Sequence, residues 1–194
     1  MSLEKRVYSV LAVSSNAKFK EALTALLPES DYSPVSFARD VNSARRALTE
    51  RDFDFIMVNS PLPDDTGLRF ATDAVTSSGA AVLLFAGTEL YDDIHDRASQ
   101  HGIFMLLKPT SKQILSTALD WMASARERLR KTEKKAITIE EKMNEIRLVN
   151  RAKWLLISEV KMDEPAAHRF IEKQAMDRCV SKREVAEEII KTYS

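Results

Sequence analysis

No glycine or proline interrupts the chain between Thr110 and Glu164, and this absence constrains the fold more than any other feature. Those two residues are the strongest breakers of regular structure, so a polar stretch of this length lacking both is expected to form a long α-helix. Its apolar residues Leu115, Leu119, Met122, Leu129, Ala136, Met143 and Ile146 fall mainly on a 3.5-residue seam, broken at Arg126 and Glu133. The spacing predicts a long helix without a perfect coiled coil. A lone helix is marginal in water, so this one packs either on a second copy of the chain, as a parallel dimer, or back on its own domain. The dimer is the expected arrangement.

Before this helix, strands and helices alternate. Tyr8 to Val13 is a short apolar run ending at Ser14-Ser15-Asn16, and Phe19, Ala22, Leu23, Leu26 and Leu27 follow at helical spacing. Pro34 to Phe37 reads as a short strand, and Val41 to Arg51 carries Val41, Ala44, Ala47 and Leu48 on one helical face. Phe53 to Val58 is a buried run that enters Asn59-Ser60-Pro61-Leu62-Pro63, a loop because neither proline donates a backbone hydrogen bond. Ala81 to Ala86 and Ile103 to Leu107 are wholly apolar and flank a polar helical stretch, Leu90 to Gln100. Strands without polar alternation are covered on both faces, which implies a parallel sheet between helices. With only 4 Gly and 6 Pro, the chain lacks the turn residues that an all-β sandwich needs about every 8 to 12 positions.

After the long helix, Asp163 is placed to N-cap a second helix with Pro165 in its first turn and Ala166, Ala167, Phe170, Ile171 and Ala175 on its apolar face. Ser181 and Glu184 form the Ser-x-x-Glu signature of a capping box before Val185, Ala186, Ile189 and Ile190. With the end of the long helix, these make a small three-helix domain. The expected division is 1–120 for the α/β domain, 121–139 for a helical coiled-coil linker and 140–194 for the helical domain.

Charge is uneven although the formal net charge is zero: residues 1–120 sum to −4, 121–135 to +4 and 136–194 to 0. The basic segment Arg126, Arg128, Arg130, Lys131, Lys134 and Lys135 reads either as a polyanion contact or as a solvated helix face. The single cysteine, Cys179, forms no internal disulfide, and 3 His are too few for a Cys/His zinc cluster, so neither metal nor cofactor is implied. Absence of a signal peptide and of a membrane-spanning run, with so little cysteine, points to a soluble cytoplasmic protein. No nucleophile elbow, Walker loop or His-x-x-x-His pair is present, which speaks against an enzyme.

The loops of the first block resemble those of the receiver domain of bacterial response regulators. In that family the first strand ends in an acidic pair that holds Mg²⁺, the third in an aspartate that accepts a phosphoryl group within Asp-x-x-Met-Pro-x-x-x-Gly, the fourth in Thr or Ser and the fifth in Lys-Pro. This chain has Asn59-Ser60-Pro61-Leu62-Pro63-Asp64-Asp65-Thr66-Gly67 in the third loop and retains Lys108-Pro109. Ser14 and Ser15 replace the acidic pair, Asn59 the acceptor and Phe85 the Thr or Ser. The resemblance implies a flavodoxin-like five-stranded parallel sheet followed by the long helix and the small all-α domain. An amide and two hydroxyls supply neither the nucleophile nor the anionic oxygens that phosphorylation and Mg²⁺ need, so the site reads as a degenerate phosphorylation site in a pseudo-receiver. Lys108 is then expected to hydrogen-bond Asn59 or a backbone carbonyl.

The tail resembles the ANTAR domain, the RNA-binding module of AmiR- and NasR-type antiterminators. The match rests on Ala152-Lys153, Leu155-Leu156, Ala167, Ile171, Ala175-Met176-Asp177 and Arg183-Glu184-Val185-Ala186. Arg151, Trp154, His168 and Lys182 depart from the family's usual Gln, Gly, aromatic and Leu, each keeping or adding a polar or stacking group. Cationic and stacking groups are what RNA hairpin loops require, and Arg151, Lys153, Trp154, His168, Arg169, Arg178, Lys182 and Arg183 supply them. Trp154 beside Leu155 and Leu156 also reads as a core residue. The resemblance implies a dimeric transcription antitermination regulator that binds stem-loops of leader RNA, controlled through a partner protein, a small ligand or abundance. The alternative is a protein–protein adaptor without RNA binding.

Overall fold

The computed structural model describes residues 6–193; the first five residues and Ser194, at the outer ends of the expected domains, lie outside it. The elements in order are β1 (Tyr8–Val13), α1 (Ala17–Leu26), β2 (Tyr32–Ala38), α2 (Val41–Glu50), β3 (Phe55–Asn59), α3 (Leu68–Ser78), β4 (Ala81–Ala86), α4 (Thr88–Gln100), β5 (Phe104–Leu107), α5 (Lys112–Val160), α6 (Glu164–Asp177) and α7 (Lys182–Tyr193). The strands form one sheet in the order β2-β1-β3-β4-β5, with every neighbouring pair parallel. The chain divides into two compact units between Arg130 and Lys131.

In the first unit, successive strand residues supply opposite faces of the sheet, and both faces are covered. Leu11, Ile56, Val58 and Leu84 pack beneath α2, α3 and α4 with Ala44, Phe70 and Ile94. Val10, Phe55, Met57, Leu83 and Phe85 pack beneath α1 and the start of α5 with Leu23, Leu27, Leu115, Leu119 and Met122. This two-sided burial explains why β3 and β4 show no polar alternation. Asn16 caps α1, accepting from the backbone N–H of Lys18 and Phe19. Asp40 caps α2 in a box whose Ser43 hydroxyl also accepts from the Asp40 N–H.

The opening turns of α5 lie on this sheet. Leu115, Ala118, Leu119 and Met122 are buried there, so this part of the seam folds back on its own domain. Arg126 and Arg130 continue the attachment: Arg126 Nε and Arg130 Nη2 donate to Asp54 Oδ1 at 3.1 and 2.6 Å. For two of its six residues the expected reading of the basic segment is thereby corrected. These two guanidiniums neither face solvent nor await a polyanion, because a buried carboxylate just ahead of β3 holds them. From Lys131 to Asn144 every residue of α5 is exposed.

In the second unit, Ala152 and Leu156 of α5 pack with Ala167, Ile171 and Ala175 of α6 and Val185, Ala186 and Ile189 of α7. Asp163 Oδ1 accepts from the Ala166 N–H at 2.7 Å, and Pro165 sits in the first turn of α6. Ser181 Oγ accepts from the Glu184 N–H at 3.2 Å and donates to the Glu184 carboxylate at 3.0 Å. The tail contains no glycine, yet α6 ends in a Schellman turn, with Val180 N–H donating to the Ala175 carbonyl at 3.0 Å and Cys179 N–H to that of Met176 at 3.2 Å. Cys179 itself takes the left-handed backbone, φ 52°, that glycine usually provides.

Candidate nucleic-acid interface and the degenerate receiver pocket

At the carboxyl ends of the strands, residues expected to form a degenerate phosphorylation site make a closed, uncharged-acceptor network. Asn59 Nδ2 donates to Ser14 Oγ at 2.9 Å, and Lys108 Nζ donates to Asn59 Oδ1 at 3.0 Å and to the Ser60 carbonyl. Both alternatives foreseen for Lys108 are thus realised together. Ser14 Oγ also accepts from the Asn16 N–H at 3.0 Å, Ser15 is exposed, and Phe85 is buried, with Phe19 edge-on to its ring at 5.0 Å. Mg²⁺ does not fit this donor set, because Ser14, Ser15 and Asn59 offer no anionic oxygen and two of the three are spent on one another. Burial lowers the pKa of Lys108.

Neighbouring carboxylates serve the backbone instead. Asp64 accepts from the N–H groups of Val41 and Asn42 at 3.0 and 3.2 Å, fastening the start of α2. Asp65 accepts from the Gly67 N–H at 2.6 Å. Beside the network, between α1 and the first turn of α5, opens a cleft of about 530 Å³.

In the tail, two hollows share Asn150 and Lys153. One, of about 510 Å³, is lined by Asn150, Lys153, Trp154, Ile157 and Glu164. The other, of about 380 Å³, runs past Lys142, Ile146 and Val149 to His168 and Lys182. Four expected contact residues, Lys153, Trp154, His168 and Lys182, are therefore divided between two adjoining hollows that make up the groove of the tail. Trp154 is 70% exposed, so the core reading of this residue is overturned. Residues two apart on a helix point about 200° apart: Leu156 turns inward, and Trp154 turns out.

The cations are held by acids of the same unit. Lys153 Nζ lies 3.2 Å from Glu164. Glu172 receives both Lys182 Nζ at 2.5 Å and His168 Nε2 at 3.4 Å, and the hydrogen bond and charge of Lys182, with a smaller pull from His168, hold its carboxyl below the usual value. Arg183 Nε donates to Glu187 at 2.8 Å; its pKa is raised by that bond first, then by Glu187's charge and weakly by Glu141 and Glu145. Arg151 and Arg169 are exposed. Arg178 stands apart, bonded through both Nη atoms to Glu188 at 2.6 and 2.7 Å and bordering a different hollow with Phe170 and Tyr193. Lys142 and Asn150 escaped the sequence reading, although Lys142, Ile146 and Asn150 at four-residue intervals place them on one helix face with Lys153.

Residues 138–190 match the ANTAR domain family. The α/β unit superposes on the signal receiver domain of an HD domain-containing protein from Pseudomonas fluorescens Pf-5, with a TM-score of 0.59 and 23% identity over 68% of this chain and 96% of that one. It also superposes on a chemotaxis response regulator of Vibrio cholerae, with a TM-score of 0.53 and 22% identity over 60% of this chain and 99% of that one. The chain thus pairs a receiver-like fold with a segment that matches the ANTAR domain family. Along almost its whole length it is similar to the transcriptional regulatory protein PdtaR of Mycobacterium tuberculosis, at 26% identity over 183 residues, 94% of this chain and 89% of the relative. No helix among the described residues is long and apolar enough to cross a membrane.

Proposed function

We propose that this chain is a transcription antiterminator that grips stem-loops of a leader RNA through the groove of its tail, and that its receiver-like unit works without phosphorylation. The outward Trp154, which lines the same hollow as Lys153, carries the reading. An indole placed outside the core is a platform for an unpaired base, with Lys142, His168, Lys182 and Arg183 available to phosphates. The neutral charge of the tail then has a physical reading: in the unbound chain, acids on α6 and α7 occupy the cations that RNA would take over.

Dimerisation is part of the proposal. Along the exposed middle of α5, Leu129, Ala136, Ile139, Met143 and Ile146 follow one another at intervals of 7, 3, 4 and 3 residues, the spacing of a coiled-coil seam. Leu129, Ile139, Met143 and Ile146 are each 41% or more exposed. Two tails joined this way gain affinity for a paired hairpin through effective concentration.

The test is binding of a tandem-hairpin RNA by the full chain at several salt concentrations. With about four phosphate contacts and a slope of roughly −0.7 each, affinity should fall ~50-fold between about 0.05 and 0.2 M salt. Lys153→Ala and Arg183→Ala should weaken binding while circular dichroism stays helical, and acetyl phosphate should change nothing. Absence of saturable binding at low salt supports the adaptor reading.

A further inference from the structure

We propose that the cleft between α1 and the first turn of α5 is a receptor site for a small carboxylate with an apolar body. Its volume of about 530 Å³ falls within the usual range of small-molecule sites, roughly 300 to 1,000 Å³. Its chemistry is two-sided. Phe19, Phe85 and Leu115 contribute apolar surface, while Lys18, Lys108 and Lys112 contribute three positive charges. No aspartate or glutamate is among the described residues that line it.

Among the described residues, no carboxylate pairs with the charge at the inner end. Lys108 is half-buried, and its ammonium donates only to the neutral oxygens of Asn59 and Ser60. A cation withdrawn from water without an anion is costly, and a ligand carboxylate at this point would supply the missing charge. Two further features act in the same direction. Asn16 and Lys18 at the start of α1, and Ser111 and Lys112 at the start of α5, all border the cleft, so two helix N-termini add positive potential. Neither helix carries an acidic residue in its first turn to offset this.

The apolar wall selects the rest of the ligand. Where Phe85 and Phe19 meet edge to face, inorganic phosphate would surrender hydration without gaining contacts, whereas an aromatic or branched aliphatic body buries its surface. The site is thus specific for an organic monoanion, and its occupancy does not depend on whether the tail binds RNA.

Backbone NMR of the full chain titrated with 4-phenylbutyrate, 4-phenylbutanol and inorganic phosphate tests the assignment. 4-Phenylbutyrate should give saturable shifts clustered at residues 16–19 and 108–115. The neutral alcohol should bind at least about tenfold more weakly, as loss of a charged hydrogen bond implies, and phosphate should not saturate. Lys108→Gln should lose about tenfold for the acid by the same loss. The exposed Lys112→Gln should weaken the acid more than the alcohol, and Ala22→Trp, which fills the mouth, should abolish the shifts with circular dichroism unchanged. The last two variants keep the test decisive should Lys108→Gln misfold. Equal affinity for acid and alcohol, saturation by phosphate, or shifts confined to other residues would overturn the proposal.

Discussion

Replacing Asp54 by alanine should loosen α5 from the sheet. Asp54 is 7% exposed, and its carboxylate accepts from Ser9 N–H at 3.1 Å and Ser9 Oγ at 3.3 Å as well as from Arg126 and Arg130. Removing one partner of a buried ion pair leaves the other charge uncompensated, at about 3 to 5 kcal/mol. The two arginine side chains are 12% and 24% exposed, and Arg130 keeps a bond to Glu127 at 2.9 Å. Partial rehydration and this second partner place the loss near the lower end, about 3 kcal/mol. Asp54→Asn, which keeps the shape and the Ser9 bonds, should lose about half as much. Urea denaturation followed by hydrogen exchange at the β1 and β3 amides isolates the first unit from the tail. A loss under about 1 kcal/mol for the alanine variant would mean that the guanidiniums are hydrated, as in a surface bridge, and that the attachment rests on Leu115, Leu119 and Met122 alone.

Glu172→Gln should raise RNA affinity by severalfold at low salt, because it releases Lys182 and His168 from their shared carboxylate; unchanged or weaker binding counts against the groove. The same pairing has a pH signature: since the Glu172 carboxyl is held below its ordinary 4.5, its contribution to tail stability is present above that value and lost as pH falls through the lower folded value, which acid unfolding of the wild type against Glu172→Gln measures. Gly67→Ala should destabilise the first unit by about 2 to 3 kcal/mol, since φ is +87° and the added Cβ would stand 2.8 Å from Val58 Cγ1; a thermal melt within a degree of wild type would refute this. In a Trp121→Phe background, Trp154 should show the emission of solvated indole and become shielded from acrylamide by RNA, and Trp154→Ala should weaken binding by about 1 to 3 kcal/mol with helicity intact.

The α/β unit was legible because its signals are local. β1 and β4 run over the residues that the apolar runs predict, and Asp163, Pro165 and Ser181 mark the helix starts where their side chains dictate. Pairings between distant residues were not legible. Asp54 lies 72 positions from Arg126, and nothing in either segment shows that they meet, so the basic run read as free charge. The seam, broken at Arg126 and Glu133, left two packings open: Leu115, Leu119 and Met122 lie against the helix's own sheet, whereas from Lys131 to Asn144 the helix is bare. The pattern at Trp154 was ambiguous, because three large apolar residues in a row cannot all face the same side of a helix. In the candidate site, residue types were readable from the sequence, but their grouping was not: Arg178 falls elsewhere, and Lys142 and Asn150 join.

The left-handed Cys179 has a practical consequence. It is the chain's one cysteine, and it stands exposed at the bend between α6 and α7. A maleimide dye or nitroxide would attach there without prior mutagenesis, next to Arg178 in the chain. Energy transfer or dipolar coupling between labels would then report, copy to copy, how far apart two tails are held and whether RNA draws them together.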